Sequence, residues 1–160
     1  MIFVTVGHQM PFDRLIRAVD AWAETQRRED VFAQIGTTDY EPGHLTWAPT
    51  IPPEEFRSRV SEADAVVSHA GMGTILTSLE LGTPILVMPR QGKLLETRND
   101  HQVATAERLK ATGRVHVAMD EEELRVALEG LVGIKPLDSI SPWASEELLH
   151  TVRGFITDDE

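Results

Sequence analysis

Short β-branched runs alternating with segments of helical periodicity constrain this chain more than anything else in it. "IFVTV" at 2–6 stops at Gly7 and is followed by "FDRLIRAVDAWAETQRR" at 12–28, where Leu15, Ile16, Val19, Trp22 and Ala23 recur at helical spacing. "VFAQIG" at 31–36 and "LTWA" at 45–48 read as further strands. "PPEEFRSRVSEA" at 52–63 reads as a helix, with prolines at its start and carboxylates in its first turn. "DAVVSH" at 64–69, a helix at 73–81, "PILVMP" at 84–89, a helix at 100–111 and "RVHVA" at 114–118 continue the alternation, and helices over 120–132 and 143–156 close it.

Parallel strands need crossover connections and burial on both faces, so the pattern implies an α/β fold with a doubly wound, Rossmann-like parallel sheet. Ligands of such sheets bind beyond the carboxyl ends of the strands, which directs attention to the loops after residues 6, 35, 48, 67 and 88. With 160 residues, 41% of them hydrophobic, the chain is expected to form one domain with its own core.

The chain has no cysteine, which excludes a disulfide framework and a thiolate metal site. "MIFVTVG" lacks the basic flank and apolar length of a signal peptide, and no run reaches the length of a membrane span, so a cytoplasmic chain is expected. A net charge of −11 argues against a nucleic-acid partner. "RQGKLLETR" at 90–98 nevertheless gathers Arg90, Lys93 and Arg98, enough to attract a small anion.

"SHAGMGT" at 68–74 leaves a strand and enters a helix through two glycines. Free N–H groups and the macrodipole at such a helix start suit a phosphate or diphosphate, with Thr74 and His69 as added donors. A tight turn with a satisfied histidine fits the same residues. The chain has no G-x-x-x-x-G-K-[ST], and the G-x-G-x-x-G fingerprint fails because Leu76 stands at its third glycine. "TVGHQMPFD" at 5–13 is a second glycine turn, offering His8 and Gln9 as contacts or serving only as a crossover. "ETRNDHQ" at 96–102 places Asp100, His101 and Gln102 at a helix start, as a cap or as bidentate partners for sugar hydroxyls. The histidines lack an i, i+4 pair and there is no D-x-D, so no metal is expected.

Taken together, "MIFVTVG…PFDRLI", "VFAQIG", "SHAGMGTIL…LGTPILVMPR" and "NDHQ", in this order and spacing, resemble the donor-binding C-terminal half of GT-B glycosyltransferases related to MurG, over residues 1–132. The resemblance is greatest to small single-domain subunits of two-part enzymes. These include the catalytic subunit of the dolichol-pathway UDP-N-acetylglucosamine transferase and the exopolysaccharide subunit PssE.

The resemblance implies that His69, Gly71, Met72, Gly73 and Thr74 hold the donor's diphosphate. Asp100, His101 and Gln102 would meet the donor sugar, and Thr50 and Ile51 would border the uracil. Gly7, His8, Gln9 and Arg90 would lie in the cleft facing the other half. Many relatives carry an acidic ribose ligand where this chain has Thr77, so either the ribose grip is weaker or Glu80, one turn on, substitutes for it.

The implied reaction is metal-independent, inverting transfer from a UDP-sugar (UDP-N-acetylglucosamine or a UDP-hexose) to a lipid-linked or polysaccharide acceptor, with no cofactor. In the two-domain relatives the base usually lies in the other half; within this chain His8 is the only candidate. A GT-B enzyme needs two such domains. A membrane-anchored, acceptor-binding second chain is therefore expected to recruit this one to the inner face of the membrane; in isolation it could form homo-oligomers. A non-catalytic nucleotide-sugar-binding module and a stand-alone homo-oligomeric nucleotide-sugar enzyme are the alternatives. Residues 133–160 divide into a linker, "GIKPLDSISP" at 133–142, and a last helix whose stripe of Leu148, Leu149, Val152, Phe155 and Ile156 is expected to pack on the chain's own sheet in preference to a partner.

Overall fold

The computed structural model describes residues 1–131, 139–141 and 143–157. The strands are β1 (Ile2–Thr5), β2 (Val31–Gln34), β3 (Thr46–Ala48), β4 (Ala65–His69), β5 (Ile85–Met88) and β6 (His116–Val117). The helices are α1 (Asp13–Gln26), α2 (Pro53–Glu62), α3 (Met72–Leu81), α4 (His101–Thr112), α5 (Glu121–Gly130) and α6 (Glu146–Thr157). All pairings are parallel and the order is β3-β2-β1-β4-β5-β6. The chain therefore winds outward from β1 to β3, returns to β4 beside β1, and winds the other way. The switch point where a doubly wound sheet opens its crevice lies between β1 and β4.

Strand side chains alternate between two apolar layers. Ile2, Val4, Val6, Val67 and Met88 pack with Leu15, Ile16, Val19 and Trp22 of α1 and Leu124 and Leu128 of α5. Phe3, Val66, Ile85 and Val87 pack with Val60 of α2, Ile75 and Leu79 of α3 and Ala106 of α4. Each fully buried large side chain contributes about 1.5–3 kcal/mol relative to exposure.

The predicted elements are present with shifted ends. β6 is two residues long against the five of "RVHVA", and α6 begins at Glu146, three residues later than expected. The linker expected at 133–142 lies mostly outside the described residues, although the Ile140 N–H reaches Leu79 O at 3.0 Å. The stripe on α6 does not pack on the sheet. Leu148, Val152, Phe155 and Ile156 are exposed, Phe155 by 79%, because α1 and α5 cover one face of the sheet and α2, α3 and α4 the other. Among the described residues no helix is long and apolar enough to cross a membrane.

Candidate active site

The turn from β4 into α3 leaves three amides free. Gly71 is the N-cap of α3 and brings no side-chain acceptor, and the first main-chain bond of the helix is Ile75 N–H to Gly71 O. The N–H groups of Met72, Gly73 and Thr74 are thus left without an intrahelical partner at the positive end of the dipole.

The two glycines of the turn do different things. A Cβ on Gly71 would stand 2.7 Å from Cε1 of His69, whereas one on Gly73 would meet nothing within 4 Å. Gly71 makes room for the histidine, and Gly73 opens onto solvent. Gly7, with φ +76°, flanks the same ring, and a Cβ there would also stand 2.7 Å from Cε1. Burial, helped by the positive charge of Arg90 and opposed by the Thr5 main chain, lowers the His69 pKa to about 4. The imidazole is neutral at physiological pH, with Nδ1 3.3 Å from Ser68 Oγ.

Beside this turn lies a crevice of about 360 Å³ lined by Gly7 and His8, by Gln34 at the end of β2, by Ile51, Pro53 and Phe56 before and within α2, and by Gly73, Thr74 and Thr77 of α3. His8 and Gln9 are exposed, Thr50 is exposed one residue before the buried Ile51, and Met72 is 46% exposed at the tip of the helix. Thr77 donates its hydroxyl proton to Gly73 O, 2.9 Å away. Glu80 is paired with Arg57 of α2 at 3.3 Å and does not line the crevice. A larger groove between α1 and α5, about 600 Å³, contains none of these residues.

Arg90 differs from its expected place in the cleft. It is 4% exposed and turned under the β1–α1 loop, where Nη2 donates to Val6 O at 2.7 Å and to Met10 O at 2.6 Å, and its guanidinium lies 5.0 Å from the centre of the Phe12 ring. Main-chain carbonyls and an aromatic face hold it in place of water, and its Nε has no hydrogen-bond partner among the described residues. Burial lowers its pKa to about 10, against the charge of Glu96, so it stays a cation. Of the basic cluster, only Lys93 and Arg98 are exposed.

The "NDHQ" segment sits at the start of α4, beyond β5. Asp100 Oδ1 accepts from Gly92 N–H at 2.7 Å, and Asn99 Oδ1 accepts from His101 N–H at 3.3 Å and also touches His101 Nδ1. His101 is exposed; Gln102 is buried, and its Oε1 accepts the Arg90 N–H at 3.2 Å. Asp100 Oδ2 and Gln102 Nε2 have no partner among the described residues.

Sequence reading overlooked two parts of this arrangement. Arg14 of α1 forks onto Glu96, with Nε to Oε1 at 2.6 Å and Nη2 to Oε2 at 2.9 Å, and also reaches Pro89 O, tying the α1 start to the loop before α4. Burial alone would lower the Arg14 pKa, but the hydrogen bonds and charge of Glu96 and Glu121 outweigh it and raise it. Gln34 falls within the predicted strand 31–36. The polar residue closing an otherwise apolar "VFAQIG" was the available signal.

The model of the glycosyltransferase family 28 C-terminal domain matches residues 1–133. The human UDP-N-acetylglucosamine transferase subunit ALG13 is 34% identical over 124 residues, which is 71% of this chain but only 10% of that protein. Among solved structures, Acinetobacter baumannii MurG aligns with TM-score 0.60 at 21% identity over 82% of this chain and 41% of its own. The solution structure of ALG13 aligns with TM-score 0.59 at 18% identity, covering 94% of this chain and 93% of its own. Those two likenesses support the Rossmann-like fold of a GT-B half, and with the family match over most of its length, the chain belongs to the glycosyltransferase family 28 C-terminal domains.

Proposed function

We propose that this chain is the donor-binding, catalytic subunit of an inverting glycosyltransferase that uses a UDP-sugar and requires no metal or cofactor. The observation that carries the reading is Gly73: an open glycine on the second residue of α3, between two free amides and beside the crevice, where no protein atom claims the space. The Met72, Gly73 and Thr74 amides receive the diphosphate, with neutral His69 beneath the turn. The nucleoside lies toward Ile51 and Phe56, with Thr77 on its α3 side. The sugar lies toward Asp100, His101 and Gln102.

When the anomeric C–O bond breaks, its electron pair leaves with the diphosphate, and preorganised N–H groups stabilise the new charge. The acceptor oxygen bonds to the anomeric carbon on the face opposite the leaving diphosphate, and His8, on the crevice rim, takes its proton. A second, membrane-anchored subunit supplies the lipid-linked or polysaccharide acceptor and holds this chain at the cytoplasmic face. The exposed stripe of α6 supports such a partner, as does the likeness to human ALG13, a UDP-N-acetylglucosamine transferase subunit. Thr77 in place of a carboxylate favours a second reading, a nucleotide-sugar-binding module without turnover.

Titration with UDP, UDP-N-acetylglucosamine, UDP-glucose and GDP tests the donor site, which fails if none binds at millimolar concentration. Reconstitution with an acceptor-binding chain then separates the two readings. In it, His8→Ala is expected to lose about 10²–10⁴-fold in turnover while keeping UDP affinity.

A further inference from the structure

The floor of the crevice has a fixed hydrogen-bond polarity. The Gly7 N–H, which can only donate, lies 3.2 Å from Thr5 Oγ1. The hydroxyl accepts there and donates its proton to Gln34 Oε1, 2.9 Å away. With Oε1 turned to Thr5, the amide NH2 is left for the crevice that Gln34 lines. Thr5 is fully buried and Gln34 is 4% exposed, yet Gln34 Nε2 has no partner among the described residues. Nε2 is not among the sealed, unpartnered side-chain atoms, so it is reached from the crevice, where a ligand oxygen can accept from it.

The place of Gln34 across the sheet selects which part of the ligand it meets. It closes β2, pairs in register with Ala48 of β3, and is separated by β1 from the β4–α3 turn. Neighbouring strands lie about 4.8 Å apart, so the Gln34 main chain stands on the order of 10 Å from β4, on the far side of the crevice from the α3 turn. Ile51, Pro53 and Phe56, on the same side, give the apolar walls a flat base requires.

We propose that Gln34 is a specificity-determining residue whose Nε2 donates to an acceptor oxygen of the nucleoside. The assignment rests on the reading of the crevice as a nucleotide site and adds to it a named reader of the nucleoside.

Titration calorimetry of the wild-type, Gln34→Met and Gln34→Glu chains with UDP, CDP and inorganic pyrophosphate tests it. Gln34→Met is expected to weaken UDP binding roughly threefold to tenfold and to leave pyrophosphate unchanged. Gln34→Glu keeps an acceptor for Thr5 but replaces the donor with an acceptor, so it loses more UDP affinity than Gln34→Met. Where the oxygen read is O4 of uracil, which cytosine replaces with an amino donor, Gln34→Glu prefers CDP to UDP. Where it is O2 or a ribose oxygen, both nucleotides weaken together.

Unchanged UDP affinity in both variants, or an equal loss of pyrophosphate in Gln34→Met, overturns the assignment while leaving the nucleotide site standing. A wild-type chain that binds pyrophosphate but neither nucleotide overturns both. If Gln34→Met does not fold, Gln34→Glu decides alone, by whether UDP weakens more than pyrophosphate.

Discussion

The imidazole of His69 occupies the space that a side chain on Gly71 would need, its Cε1 2.7 Å from where that Cβ would stand. "SHAGMGT" is thus a packing motif on one glycine and an open approach on the other, and the two can be separated by the same substitution.

Gly71→Ala drives a methyl group into the partly buried imidazole and is expected to cost about 1–3 kcal/mol in urea unfolding. Gly73→Ala meets no protein atom and is expected to leave stability unchanged or raise it by up to about 1 kcal/mol, while UDP affinity falls. Equal stability losses at the two positions would show that both glycines serve packing alone.

His69 makes the fold acid-sensitive. In the unfolded chain it takes up a proton near pH 6.5, and in the folded chain only near 4. Between those values the unfolded state binds the extra proton, so stability is full above pH 6.5 and falls as the pH drops toward 4, by up to roughly 3 kcal/mol. NMR titration of the His69 Cε1 proton is the direct check; a midpoint near 6.5 in the folded protein would contradict the burial.

Arg14 and Glu96 are each mostly buried, with side-chain exposures of 14% and 11%. Removing one partner leaves the other's charge uncompensated, so Glu96→Ala is expected to destabilise by about 2–3 kcal/mol. A double-mutant cycle with Arg14→Ala should return a positive coupling. Additive losses would mean the pair contributes no more than its separate contacts.

The α6 stripe is exposed, so Phe155→Ser and Ile156→Ser are expected to change the thermal stability of the isolated chain by no more than about 0.5 kcal/mol. Leu128→Ala, at a fully buried position in the α5 layer, should cost about 2–5 kcal/mol. A loss of that size at Phe155 would make the stripe part of the core.

The alternation of strands and helices was legible because each apolar run carries its own period, and the approach to α3 was legible because glycines at a strand end are a local signal. What the sequence hides is long-range chemistry. Arg14 meets Glu96 across 82 residues and Thr5 meets Gln34 across 29, and no spacing rule links either pair. Arg90 looked like a free cation because its two main-chain acceptors, Val6 O and Met10 O, lie 84 and 80 residues away. The packing of α6 was misjudged for a related reason: a stripe announces that a helix has an apolar face, while whether any sheet surface remains to receive it depends on the other five helices.

The sheet ends in β3 on one side and β6 on the other, strands of three and two residues. Such short margins present few unpaired backbone groups, which blunts edge-to-edge growth into larger sheets. Margins of this kind disfavour a complex built by strand addition. Selectivity is then written in side chains, where single substitutions alter it, and not in a main-chain ladder that any extended peptide could join.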